Sequence, residues 1–428
     1  MSQHQFRADF ASHIWRRTIR FANRQFAAVL LTVALTDACS APLSHDKGAG
    51  SPPRADQSIK GTVAIGVAAT PGKPGYEGVT RGIQLAIDRL NAESAGKTTF
   101  AMRAPETAAG TSVVQIAQQL RDDPSVIGVV GHPESGSSLE AIPVYADVEH
   151  AGEHGVVAVS PTASSPRLSG ISRWFFRVAP SDNEAARLVA RYVADSLGAE
   201  TAAIIYRNDS YGRDWSAKFF DTFTAGKHSV VARIPYITGI TEWNAFALEI
   251  QKLAPKVLLF PGDADDATAM LRALKTLNVK LTFIGGDGTE GIARTHEFPQ
   301  AKFTAFFVAD RATTAEGKHF VDTYRARFHD EPDMFAALSY DAALAIGQSV
   351  VHGAQTRSAV RDAIEHMSGA AGIEGAGGRI AFNAQHDITG RTVVITTVGN
   401  APTAATAPGG PSTSGAAAGG TATGGAAK

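Results

Sequence analysis

The chain has 428 residues, with 40 Lys and Arg residues against 41 Asp and Glu residues, so its formal net charge is −1. This length predicts two or three domains, and a hydrophobic content of 44% is enough to bury a sizeable core. The near-neutral balance argues against a general nucleic-acid-binding protein, which needs a basic face against phosphate. The single cysteine, Cys39, excludes an intrachain disulfide and a cysteine-based zinc site.

Residues 1–39 are predicted to be a signal peptide, of the lipoprotein type. Several arginines precede an apolar, uncharged stretch at residues 26–35, which is too short to span a bilayer as a helix. Ala38 then precedes Cys39, as in bacterial lipoprotein signals, whose cysteine is lipidated and becomes the new N-terminus. The two residues before Ala38 depart from that pattern, so an ordinary cleaved signal is the alternative. Both interpretations predict a periplasmic or extracytoplasmic protein, and lipidation would anchor it to the membrane.

The folded part is predicted to lie between two segments of low complexity. Residues 40–58 are rich in Ser, Pro and Gly and are predicted to be a flexible tether. Residues 401–428 consist almost entirely of Ala, Gly, Thr, Pro and Ser. Without large apolar side chains, this tail cannot offset the entropy lost on ordering, and we expect it to be disordered.

Between these segments, short apolar runs alternate with stretches of helical periodicity. Strands are predicted at residues 62–69, 125–130, 156–160, 174–178, 201–206, 229–235, 256–260, 281–285 and 303–309. Helices are predicted at residues 78–92, 183–197, 215–224, 243–253 and 264–277. This alternation predicts an α/β fold with parallel sheets covered on both faces. Because the strands are too many for one comfortable sheet, we expect two doubly wound lobes.

Ligands of such sheets bind at the carboxyl ends of the strands. The loop after the strand at 125–130 (GHPESGSS) carries Ser135 and Ser137, whose hydroxyls suit a carboxylate or phosphate at a helix N-terminus. Taken alone, these serines are better explained as helix caps. The loop after the strand at 156–160 (SPTASSP) carries Thr162 and Ser164, and its alternative is an ordinary rigid turn.

Three further strand ends carry candidate binding groups. Tyr211 follows the strand at 201–206 and could close on a ligand, although it could also be the hydrophobic staple of the next helix. Asp263 and Asp287 each follow a glycine at a strand end, where a carboxylate could meet an ammonium group. Taken singly, both aspartates are better explained as helix caps.

The loops, in their order along the chain, resemble those of type I periplasmic binding proteins. Within that family, the branch is that of the leucine/isoleucine/valine-binding proteins of branched-chain amino acid ABC transporters. The phrases that carry the resemblance are EGVTRGIQLAIDRLNA (77–92), VIGVVGHPESGSS (126–138), IPVYAD (142–147), VVAVSPTASSP (156–166), FRVAPSDNEAARLVARYV (176–193), AAIIYRNDSYG (202–212), FIGGDG (283–288) and EPDMFAALSYDAAL (331–344). Together they cover roughly residues 60–398.

The resemblance implies two lobes joined by three chain crossings and closing around a ligand in the cleft between them. The crossings are expected near residues 178–181, 309–310 and 380–382. The N-terminal lobe would comprise 59–178 and 311–380, and the C-terminal lobe 179–310 and 381–400. A membrane permease would then bind the closed form. A sensor that presents the same ligand to a receptor or regulatory partner is the alternative.

The family's binding residues carry over onto five positions. Ser135 matches the serine that binds the ligand carboxylate, and Thr162 and Ser164 match the second loop, which contacts carboxylate and ammonium. Tyr211 stands at the tyrosine of the family's YG turn, and Asp287 matches the acid that holds the α-ammonium. The resemblance therefore implies a clamp for a zwitterion such as an amino acid.

The sequence departs from the family pattern at three places. Asp263 stands where amino-acid binders carry an aromatic residue, and Glu134 replaces a cysteine that those proteins use in a disulfide. The loop after the first strand is short, but Tyr76 could still reach the cleft. An additional acid at the site argues against a purely aliphatic ligand and admits a more polar or cationic one.

An enzyme is not expected. The sequence HAGEH at residues 150–154 matches an inverted zincin motif, but Gly152 and Gly155 interrupt the helix that the motif needs. A GxSxG nucleophile elbow is missing from the sequence. We therefore predict a binding protein without a catalytic residue, cofactor or metal, whose partners are a small molecule and a permease rather than nucleic acid.

Overall fold

The structure, a computed structural model, describes residues 53–73 and 75–399. The predicted signal peptide with Cys39, most of the predicted tether and the predicted C-terminal tail lie outside these residues. In the described part, strands and helices alternate over most of the chain and form two separate mainly parallel sheets. The predicted α/β class is confirmed.

The first sheet is parallel throughout, with the strand order β2-β1-β3-β4-β5. Its strands are β1 (Thr62–Ala68), β2 (Thr99–Arg103), β3 (Val126–Gly131), β4 (Val157–Ser160) and β5 (Phe175–Arg177). Alternate residues of β1 face different cores: Val63 and Ile65 join the larger one, whereas Ala64 and Ala68 join the core beneath the opposite face. A strand buried on both faces explains the unbroken apolar run in its sequence.

The second sheet has the order β13-β10-β9-β8-β6-β7, with one antiparallel pair between β13 and β10. Its strands are β6 (Thr201–Arg207), β7 (Ser229–Tyr236), β8 (Val257–Phe260), β9 (Thr282–Gly285), β10 (Lys302–Ala305) and β13 (Val394–Thr397), while β11 (Ile373–Gly375) and β12 (Gly378–Ile380) form a separate hairpin. In β6, Ala203 and Ile205 face one core and Ala202 and Ile204 the other.

Ten α-helices occur in the described residues. They are α1 (Tyr76–Ser94), α2 (Val113–Asp122), α3 (Ser135–Tyr145), α4 (Asp182–Arg191), α5 (Ser210–Ala225), α6 (Trp243–Leu253), α7 (Ala264–Thr276), α8 (Ala315–Phe328), α9 (Met334–Val351) and α10 (Arg357–Glu365). Helix α9 is long and apolar enough to cross a membrane, but it is almost entirely buried as a core helix. It packs closely on α1 because Gly82 lets the Ala336 carbonyl approach, where a Cβ would collide with its oxygen.

One of the three expected crossings lies elsewhere than predicted. The second crossing falls at residues 306–309, close to the expected 309–310. Phe306 and Phe307 pack in the first lobe's core, whereas Val308 still packs against the core of the second lobe. The third crossing comes after, not at, residues 380–382: Phe382 packs edge-on against Phe176 at 5.1 Å, and the second sheet resumes only with β13. These aromatic contacts hold residues 381–393 on the first lobe, although we predicted them in the second.

Candidate functional site

The first two predicted loops meet at the carboxyl ends of β3 and β4. Ser135 is the first residue of α3 and only 2% exposed. Its hydroxyl oxygen accepts the backbone N–H groups of Ser164 and Ser165, at 3.2 and 3.1 Å. The helix cap is Glu134, which makes no side-chain capping bond, so Ser135 does not cap α3. Its hydroxyl instead ties the two loops together.

The hydroxyls of the remaining predicted serines and threonine have different partners. Thr162 donates to the Pro133 carbonyl at 2.8 Å, which also links the two loops. The Ser164 hydroxyl is buried and has no hydrogen-bond partner among the described residues. Ser137 is half-buried, and its hydroxyl lies 3.5 Å from the carboxylate of Glu134. Ser164 therefore offers the free hydroxyl, whereas Ser137 interacts within its own helical turn.

In the second lobe, Tyr211 and Asp287 form a buried pair. The Tyr211 hydroxyl donates to the Asp287 carboxylate at 2.9 Å, and it accepts the Gly288 N–H at 3.4 Å. Asp287 is 4% exposed, and burial raises its pKa to about 6, although the Tyr211 hydroxyl favours the ionised form. The structure thus brings together two residues that lie 76 positions apart in the sequence.

A second buried carboxylate, Asp182, was not predicted from the sequence. It is the first residue of α4, fully buried, and neither of its oxygens has a hydrogen-bond partner among the described residues. Burial, and then the negative charge of Asp287, raise the pKa of Asp182 well above its usual range, although the nearby Ser164 hydroxyl and the positive charge of Arg177 favour the ionised form. Its backbone N–H donates to the Ser164 carbonyl at 2.8 Å, which places it beside the second loop.

An unpaired buried carboxylate is expensive, so the group either takes up a proton, as its raised pKa favours, or pairs with a cation. The negative charge of Asp287 raises the pKa of Asp182, and Asp182 lies beside the Ser164 hydroxyl. The sequence signal was available, since Asp182 follows directly on the first crossing. However, an acid in the first turn of a helix is also common for purely local reasons.

Asp263 is the N-cap residue of α7, as its position after the strand indicated. One carboxylate oxygen accepts the Asp266 N–H at 3.0 Å, and the other lies 3.5 Å from the guanidinium of Arg207. Arg207, at the end of β6, also pairs with Asp209. Burial lowers the pKa of Arg207, but the negative charges of Asp209, Glu134 and Asp263 raise it by more than burial lowers it. A charged cluster with acids in excess therefore lies at these strand ends.

Tyr76 lies at a cavity between the lobes. This cavity, of about 470 Å³, is lined by Tyr76 and Phe335 of the first lobe and by Gly288 and Glu290 of the second. Gly288 is the residue whose N–H reaches the Tyr211 hydroxyl, so the cavity adjoins the Tyr211–Asp287 pair.

The two lobes are in contact on both sides of this region. On one side, Asp214 of α5 accepts the Ser165 hydroxyl and pairs with Arg167 at 3.2 Å. On the other, Glu290 accepts the Met334 N–H at 3.2 Å, and Arg294 pairs with Asp333 at 2.7 Å. The arrangement is a closed cleft, with hydroxyls from the first lobe facing carboxylates from the second.

Two α/β lobes with polar groups from both sides of a cleft define the class of two-lobed solute-binding proteins. A family model described as periplasmic binding protein matches residues 64–404, and the chain belongs to that family. The resemblance inferred from the loops is thereby confirmed.

Curated relatives include an amino acid binding protein of Pseudomonas aeruginosa, 27% identical over 272 residues, which cover 61% of this chain and 70% of that protein. The leucine-, isoleucine-, valine-, threonine- and alanine-binding protein of the same species is 23% identical over 251 residues, which cover 55% of this chain and 62% of that protein. The matched part of this second relative is thus less than two thirds of its length.

Two solved structures show the same fold. A branched-chain amino acid transporter substrate-binding protein from Streptococcus pneumoniae, in complex with isoleucine, has a TM-score of 0.70 and 23% identity, covering 78% of this chain and 96% of that one. A solute-binding protein from R. palustris, in complex with benzoate, has a TM-score of 0.67 and 18% identity, covering 81% and 96%.

Proposed function

We propose that this protein binds an α-amino acid, or a small zwitterion close to one, in the cleft between its lobes. The observation that carries the proposal is the placement of complementary groups on opposite lobes. Ser135 and Ser164 lie in the first lobe, whereas the carboxylates of Asp182 and Asp287 lie in the second. A carboxylate on the first lobe and an ammonium on the second would be the two ends of one ligand.

This division of the ligand explains why its binding would favour closure. A ligand shifts an open–closed equilibrium only by its difference in affinity for the two states. An amino acid held at both ends gains its second set of contacts only when the lobes approach. Its ammonium would also supply a countercharge for Asp182, whose raised pKa favours the protonated form when no cation is present, so ligand binding would favour loss of the Asp182 proton.

The ligand's side chain is proposed to be polar or charged rather than aliphatic. The neighbouring strand ends carry Arg207, Asp209 and Asp263, and Glu134 faces them from the first lobe. An aliphatic side chain would desolvate these groups without replacing their hydrogen bonds. The names of the relatives support an amino acid, and the benzoate complex shows that this fold also accepts an aromatic acid.

We further propose that the protein delivers its ligand to the permease of an ABC transporter, and that it catalyses no reaction. Membership of the periplasmic binding protein family supports a place outside the cytoplasm, and a lipidated Cys39 would hold the protein at the membrane. The sensor alternative shares the same ligand site. Ligand uptake by cells with and without this chain distinguishes the two roles, since only a transport protein is required for uptake.

A thermal-shift screen of the full chain against amino acids, amides, polyamines and aromatic acids tests the ligand class. A ligand that binds only the folded form raises the melting temperature by mass action. We expect a zwitterion to do so, and Asp287→Ala to abolish the shift. Asp221→Ala, on the exposed face of α5, is the matched control and should respond like the unaltered protein. If Asp287→Ala responds equally well, the ammonium assignment is wrong.

A further inference from the structure

We propose that Asp147, His150 and His154 bind one divalent transition-metal ion, such as Zn²⁺, on the first lobe and away from the ligand cleft. Each residue offers one ligand atom, and these atoms all lie within 4.8 Å of one another. Two imidazole nitrogens and a carboxylate oxygen form a donor set typical of zinc sites that keep a fourth position open for water.

On binding an ion, the cluster would contract, and its His150–Asp147 hydrogen bond would be replaced by bonds to the ion. A tetrahedral ion with bonds of about 2.0 Å to nitrogen and oxygen holds its ligand atoms about 3.3 Å apart. His150 Nδ1 already lies 2.9 Å from an Asp147 oxygen, and the two imidazole rings are 5.4 Å apart between centroids. The His150 side chain is 52% exposed, so its ring can rotate inward without disturbing the core.

The backbone, rather than a helix, brings the two histidines together. Asp147, Ala151 and Gly152 have positive φ angles of 48°, 53° and 89°, which fold the segment back on itself. The Asp147 carboxylate also accepts the His154 N–H at 2.8 Å, which fixes one histidine relative to the acid. The expected interruption of the helix at Gly152 is confirmed, but the interruption is what creates the cluster.

His154 carries an independent indication of a missing partner. Its Nδ1 is buried and has no hydrogen-bond partner among the described residues. A buried ring nitrogen without a partner is uncommon, and a metal ion bound at that nitrogen would satisfy it.

Charges of both signs surround the cluster, and the guanidinium of Arg357 donates to the His154 carbonyl at 3.2 Å on one side of it. Arg121 lies 3.5 Å from the Asp147 carboxylate and would compete with the ion, but it keeps its shorter contact of 2.9 Å to Asp122. Glu149 and Glu153 flank the cluster in the sequence and add negative charge.

The position of the cluster defines what the ion would do. Residues 147–154 precede β4, so they lie at its amino end, whereas Thr162 and Ser164 follow its carboxyl end. An ion there would clamp the segment that enters β4 without touching the ligand. It should therefore stabilise the fold and leave ligand affinity unchanged.

The test is Zn²⁺ titration by calorimetry of the full chain after removal of metals with EDTA. We expect one equivalent to bind and to raise the melting temperature. His150→Ala and His154→Ala should each weaken Zn²⁺ binding at least about 10–100-fold. The matched control is His319→Ala, an exposed histidine on α8, which should bind like the unaltered chain.

Because the His150 side chain is exposed, His150→Ala is expected to fold. This variant therefore tests the proposal even if His154→Ala fails to fold. One equivalent bound equally by His150→Ala and the unaltered chain would overturn the proposal, as would the absence of Zn²⁺ binding. These outcomes are independent of the amino-acid site, whose ligand response is measured separately.

Discussion

Two fully buried aspartates of this protein differ in how their charge is compensated. Asp341, within α9, accepts the N–H groups of Ala376 and Gly377 and pairs with the guanidinium of Arg391. Burial raises its pKa, and the positive charge of Arg391 opposes that rise. Asp182, in contrast, has no ion pair among the described residues, and neither of its oxygens meets the geometry of a hydrogen bond. After burial, the largest effect on its pKa comes from another acid, Asp287, and this outweighs the Ser164 hydroxyl and the positive charge of Arg177, which both favour the ionised form.

This difference separates a structural carboxylate from a binding carboxylate. A charge needed for the fold is neutralised within the chain, because every folded molecule must compensate it. A charge left without a partner, beside a second acid and a free hydroxyl, is compensated only when something enters from outside. The comparison therefore predicts opposite effects of removing the two carboxylates.

The largest effect is expected for Asp341→Ala. This variant leaves Arg391 buried without its countercharge, and breaking a buried pair costs about 3–5 kcal/mol of the free energy of unfolding. Urea denaturation measures the loss, with Asp221→Ala expected to stay within about 0.5 kcal/mol as a surface control. The folded fraction should keep its ligand affinity, and a lower affinity there would place Asp341 in the binding site.

Asp182→Asn should give the opposite result. It keeps the shape of the side chain but removes the charge that would hold the ligand ammonium, so ligand affinity should fall roughly 100-fold. The ligand-free protein should melt at an equal or higher temperature, because Asn avoids the cost of ionising a buried carboxyl that has no cation beside it. Calorimetric titration and a melting curve measure the two quantities. Unchanged affinity together with a lower melting temperature would make Asp182 a structural residue.

A smaller effect is expected from pH. Because the pKa of Asp287 is raised to about 6, this carboxyl is increasingly protonated below that pH and no longer attracts an ammonium. Ligand affinity should fall by up to about tenfold per pH unit below 6.

The stability of the ligand-free protein should change in the opposite direction. The folded state binds the Asp287 proton more tightly than the unfolded state does. The free energy of unfolding therefore rises as pH falls from about 6 toward the ordinary pKa of 3.8, and this gain is absent above pH 6. Titrations and melting curves between pH 5 and 8 measure both trends. Affinity that is constant over that range would contradict the proposed ammonium contact.

The sequence was sufficient for the fold because both sheets consist mainly of strands buried on two faces. Such strands appear as continuous apolar runs, as β3 and β8 do. The edge strand β2 was not predicted because Thr99, Met102 and Arg103 are exposed, so this strand lacks a continuous apolar run. The third crossing was misplaced because Phe382 is held by Phe176, a contact between residues 206 positions apart that no local pattern indicates.

The candidate site was predictable in part. Ser135, Ser164, Tyr211 and Asp287 stand at strand ends, where local structure explained each of them at least as well as ligand binding, and only the family resemblance of the ordered loops made them ligand candidates. In the structure, Ser135 bonds to the backbone of Ser164, and Tyr211 bonds to Asp287. Asp182 was missed because its burial and its lack of a partner arise from tertiary packing, while locally it resembles any acid in the first turn of a helix.

Asp341 has a second consequence, which concerns the chain before it folds. Helix α9 has the length and composition of a membrane span, and a chain exported in an unfolded form, as the predicted signal peptide implies, would bring this segment to a membrane before it folds. An aspartate near the centre of such a segment costs about 2.5–3.5 kcal/mol on insertion into a bilayer. On that route, the carboxylate that Arg391 neutralises in the native protein would also disfavour insertion of the segment into lipid.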